Sequence, residues 1–94
     1  MSNDARRIQR EIEADREIRA TYQKKADALL PTIAKARSHL QNMLVGRPDT
    51  QQVRDLLTDL EAQHAALLRT VAACDADIAK LEGQLVALRI VESA

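Results

Sequence analysis

His39, His64 and Cys74 are the conventional soft metal ligands of this chain. Helical ligands converge when they stand three or four residues apart, and no two of these three do. No metal centre is expected. A cysteine nucleophile needs a neighbouring base, and Cys74 has no histidine at helical spacing, so it reads as a small core hydrophobe. Asp15, Asp27, Asp75 and Asp77 could do acid–base work only in a cleft that perturbs them, and nothing in the sequence implies one. With 2 glycines there is no phosphate-cradling loop, and no Ser-His-Asp grouping stands at an interpretable spacing. The expectation is a protein that is not an enzyme, with no catalytic residue, metal or cofactor.

The elements that carry these residues are legible from punctuation and period. In 94 residues the strong break is Gly46-Arg47-Pro48-Asp49-Thr50. Gly46 can close a helix, Pro48 cannot continue one, and Asp49 followed by Gln52 reads as an N-cap with its capping-box partner. The sequence therefore predicts helix 1 over about 4–45, a turn at 46–49 and helix 2 over about 50–91, all within one domain spanning 1–94. Helix 1 places Ala5, Ile8, Ile12, Asp15, Arg19, Tyr22, Ala26, Leu29, Ile33, Ala36, Leu40 and Met43 at alternating spacings of three and four. Helix 2 does the same with Val53, Leu57, Leu60, His64, Leu67, Val71, Cys74, Ile78, Leu81, Leu85 and Leu88. These are heptad seams, and helices of about 60 Å need a partner along such a stripe. The fold class is all-α: a long antiparallel helical hairpin, a two-helix coiled coil.

A hairpin makes facing residue numbers sum to a constant. Seam partners such as Met43 with Val53, Tyr22 with Cys74 and Ile8 with Leu88 sum to 96 or 97. The flanking positions should then sum to 98, which pairs Arg37 with Glu61, Leu30 with Leu68 and Arg16 with Glu82. Residues 1–45 carry 9 basic and 6 acidic groups, a net +3, and residues 46–94 carry 5 and 8, a net −3. Opposite charge on the two arms supports the same register, although each exposed pair contributes only a few tenths of a kcal/mol.

Three places strain this scheme. Pro31 lies inside helix 1, where it removes a donor; because the seam keeps phase from Ala26 to Ala36, a kinked continuous arm is expected rather than a third helix. Asp15 and Arg19 occupy seam positions facing Leu81 and Ile78. They are expected to pair with each other at i to i+4 while Ile18 rolls toward the core, or else to belong to an N-terminal end that engages another chain. The outer face of helix 2, finally, reads Ala62, Ala65, Arg69, Ala72, Ala76, Ala79, Gly83 and Val86, where a solvated face would be rich in Lys and Glu. Alanine also serves as helix-forming filler. The alternative is a small-residue surface for self-association, which predicts a homo-oligomer, a dimer first, built as a four-helix bundle or larger assembly.

Composition narrows the function. A balanced charge and a pI near 6.7 do not fit a general binder of nucleic acid or anionic membrane. No apolar run approaches the roughly 18 residues of a membrane span. The first residues reach Arg6 and Arg7 before any apolar stretch, so no secretory leader is expected, and a lone cysteine agrees with a cytoplasmic location. The leading expectation is a non-catalytic protein–protein interaction module, acting as an adaptor, a chaperone-like protein or an inhibitor of a partner complex through helix packing. Ala62, Ala65, Ala72, Ala76, Ala79, Gly83 and Val86 are the expected self-association residues, and Arg6, Arg7, Arg10, Asp15, Ile18 and Arg19 the expected partner-binding ones. The alternative is a small dimeric nucleic-acid-binding regulator using the basic start of helix 1. One tyrosine and no Phe or Trp leave that alternative almost no stacking platform.

Overall fold

A computed structural model describes residues 2–43 and 48–93. These form two helices, α1 (Asn3–Asn42) and α2 (Pro48–Ser93), and no strand occurs among the described residues. The fold is an all-α helical hairpin. Gly46 and Arg47, which carried part of the turn assignment, lie outside the described residues.

The chain supplies the start of α1 from its own first residues. Ser2 caps it: its Oγ accepts the Ala5 N–H at 3.2 Å and its carbonyl accepts the Arg6 N–H at 3.1 Å. One orphan donor of the first turn is thereby satisfied, and Asp4 in that turn faces the positive end of the helix dipole. α2 begins two residues earlier than the sequence suggests. Pro48 is its first residue, where the fixed φ suits a helix and the missing N–H costs nothing. Asp49, expected as the N-cap, therefore sits inside the first turn, where its charge still opposes the dipole.

Contacts divide the chain into two compact units, Met1–Tyr22 with Thr70–Ala94, and Gln23–Arg69. In the first unit Ala5, Ile8 and Ile12 of α1 are buried with Leu81 and Leu85 of α2, and Ile78 and Leu88 pack against them. In the second, Ile33 and Ala36 are buried with Leu60, flanked by Leu29 and Leu57. Every residue of both heptad seams is buried or half-buried, while most positions between them are exposed. The burial pattern is what a 3.5-residue period dictates, because only that spacing keeps one stripe of each helix toward its neighbour.

The flanking pairs set the antiparallel register. Arg16 Nη2 donates to Glu82 Oε1 at 3.1 Å in the first unit, and Arg37 Nη2 to Glu61 Oε1 at 2.9 Å in the second. Both pairs sum to 98, as antiparallel arms require. Leu30 and Leu68, the apolar pair of the same set, remain 48% and 40% exposed, as befits the rim of a seam. α1 runs unbroken through Pro31. Pro31 and Asp27, whose carbonyl loses its helical donor, both lie on the exposed side, where water can take the freed acceptor.

Candidate interaction surface

Helices with one buried stripe leave an outer face, and on α2 that face is not the charged one a solvated helix normally presents. In the first unit Ala72, Ala76, Ala79, Gly83 and Val86 are all exposed. Ile90, four residues beyond Val86, extends the same row and is 66% exposed. Sequence reasoning stopped the row at Val86, although the spacing of four already pointed to Ile90. Val86, Arg89, Ile90 and Ser93 line an open, largely apolar depression at the end of α2. In the second unit Ala62 is exposed and Ala65 half-buried.

Gly83 is the centre of this row, and nothing inside the hairpin requires it. A Cβ placed there meets no atom within 4 Å. Glycine in a helix interior costs about 0.5–1 kcal/mol relative to alanine. Gly83→Ala should therefore raise the unfolding free energy of the dilute protein by about that amount, read as a higher urea midpoint at unchanged slope. A lower midpoint would mean that the backbone at Gly83 is strained.

The N-terminal set is arranged differently from the sequence expectation. Arg6, Arg7 and Arg10 are exposed, and Arg7 lies 3.9 Å from Asp4. Arg19 does not pair with Asp15: its Nε donates to Asp75 Oδ1 on α2. A seam arginine keeps its stem along the apolar stripe and carries its head to a carboxylate at the rim, and Asp75, one turn from the facing Ile78, is within reach. Nor does Ile18 roll inward; it is 46% exposed. Turning Ile18 into the seam would rotate the buried Ala5, Ile8 and Ile12 out of it, which the helix period forbids.

With Arg19 committed elsewhere, Asp15 keeps its seam position without a cation. It is half-buried, and its Oδ2 is shielded from solvent with no hydrogen-bond partner. The influence of the Asp77 side chain of α2, then burial, then the charges of Asp77 and Glu11, raise the Asp15 carboxyl above the ordinary aspartate range. Asp77 had stood among carboxylates with no expected role; the seam position of Asp15 was the available signal.

Of the soft ligands, His39 is exposed, while His64 and the free Cys74 are half-buried at their seam positions. Among the described residues no three His, Cys, Asp or Glu side chains are grouped to hold a metal ion. No helix among them is long and apolar enough to cross a membrane. No family model, curated protein or solved structure matches the chain.

Proposed function

We propose that this chain is a non-catalytic protein–protein interaction module that self-associates through the outer face of α2 and acts as an adaptor, chaperone-like protein or inhibitor by helix packing. The observation that supports the reading is the exposed row Ala72, Ala76, Ala79, Gly83, Val86 and Ile90 in the first unit. Small side chains let helix backbones approach closely, and the apolar end of the row supplies area to bury. A second copy offers the same row, so one face satisfies both partners in a two-fold dimer of hairpins, a four-helix bundle. The exposed Arg6, Arg7, Arg10 and Ile18 of α1 are left for a different protein partner.

The test is solution mass by light scattering over a concentration series. The wild type should reach twice the chain mass, and Ala76→Glu, which places two like charges at the proposed contact, should shift the protein to the monomer with its helix content intact. A wild type that stays monomeric at high concentration, or an Ala76→Glu variant of unchanged mass, overturns the proposal.

A further inference from the structure

The outer row of α2 in the first unit has a period as well as a composition. Ala72, Ala76, Ala79, Gly83, Val86 and Ile90 stand at alternating spacings of four and three, the same repeat that carries the inner seam. A stripe with that repeat stays in contact only with a helix that keeps it too, and α2 of a second copy does. Arg69, one step before Ala72, closes the row with a charge, whereas Val86 and Ile90 close it with exposed apolar side chains. The row therefore has a direction.

Its flanks have one as well. On the side nearer α1 run Asp75 and Glu82, whose side chains stay 51% and 52% exposed although Arg19 and Arg16 reach them. On the other side runs Lys80, exposed between Ala73 and Ala87 and in no ion pair among the described residues. A carboxylate accepts more than one donor, so Asp75 has room for a second cation. When two such helices lie parallel and in register, each flank meets the opposite flank of its neighbour five residues further on. Asp75 then faces Lys80 of the second copy, and two-fold symmetry makes the pair twice. Val86 meets Val86 and Ile90 meets Ile90, which takes both apolar ends out of water together. An antiparallel pairing brings like flanks together instead. With Ala79 at its centre, Lys80 opposes Lys80, Asp75 opposes Glu82, and Ile90 passes beyond the start of the other row.

We propose that the second copy lies parallel and in register along the outer face of α2, with Asp75 of each chain set against Lys80 of the other. This rests on the self-association proposed above and adds its direction. The consequence is that two copies of Arg6, Arg7, Arg10 and Ile18 stand at the same end of the assembly, so a partner meets them as a pair.

Two measurements on the full chain test the direction. The dissociation constant of the dimer, from light scattering at low salt, should rise severalfold in Lys80→Gln with helix content unchanged, and added salt should weaken the wild type more than the variant. An antiparallel dimer would respond in the opposite sense, because the substitution would relieve a repulsion. Ser93 continues the row three residues past Ile90 and is exposed. A nitroxide on Ser93→Cys, in a Cys74→Ser background, should lie beside its counterpart in a parallel dimer and about 40 Å from it in the antiparallel one, as read by pulsed electron paramagnetic resonance. A dimer with the long distance, or with a dissociation constant that Lys80→Gln leaves unchanged or lowers, overturns the parallel pairing and leaves self-association standing. A chain that stays monomeric overturns both.

Discussion

Leu81→Ala is expected to destabilise the hairpin by about 2–3 kcal/mol, measured as a fall in the urea midpoint at unchanged slope. Leu81 is buried at the centre of the first unit's cluster, among Ala5, Ile8, Ile12 and Leu85, with Ile78 and Leu88 against it. Truncation removes the transfer free energy of the lost carbons and leaves a cavity between two helices. The lower half of the usual range applies because a seam between two helices is open at its rims; no large side chain among the described residues is completely buried. Neighbouring side chains can close part of the gap. Val86→Ala, on the outer face and 54% exposed, should change the dilute protein by less than about 0.5 kcal/mol. The contrast isolates the seam: equal losses at the two positions would mean that α2 buries its outer face as deeply as its inner one, and the assignment of the core to the seam would fail.

That contrast rests on a pattern legible in the amino-acid sequence. Alternating spacings of three and four pick out Ile33 and Leu60 as readily as Ile12 and Leu85, since period alone decides which side of a long helix is covered. Register was legible for a related reason. Once the arms fold back, one constant sum governs all facing positions, and the charges of Arg16, Glu82, Arg37 and Glu61 select it. The departures come where a local rule competed with a partner on the other helix. An i to i+4 rule applied to Asp15 and Arg19 sees one helix only, whereas the long Arg19 side chain finds Asp75 across the seam. Removing that cation from Asp15 is what leaves its Oδ2 shielded and without a partner at the seam, a result that no single-helix pattern contains. At the start of α2 the capping preference of Asp49 competed with the N1 preference of Pro48, and the proline prevailed because its φ is already helical. The candidate interaction surface was legible as composition, an alanine row with Gly83 within it. Which partner such a row accepts depends on a second surface, and the amino-acid order of this chain does not encode it.

Pro31→Ala should move stability the other way, raising the unfolding free energy by about 1–3 kcal/mol. α1 continues through Pro31, so an alanine there regains an N–H for the Asp27 carbonyl and relieves the crowding of the preceding turn. The full interior cost of proline is about 3 kcal/mol relative to alanine. Two features reduce the gain here. The Asp27 carbonyl lies on the exposed side, so water already meets part of its need, and a net intramolecular hydrogen bond contributes only about 1 kcal/mol. Proline also restricts the unfolded chain, which alanine releases again. The seam beside it is intact: Ala26, Ile33 and Ala36 are buried and Leu29 half-buried, so no core contact must be rebuilt when the ring is removed. Helix content by circular dichroism should hold or rise, and the urea midpoint should increase. A midpoint that falls would show that the path of α1 imposed by Pro31 is what lets Leu29 and Ile33 meet Leu57 and Leu60, making the proline a determinant of the second unit's packing rather than a tolerated fault in its helix.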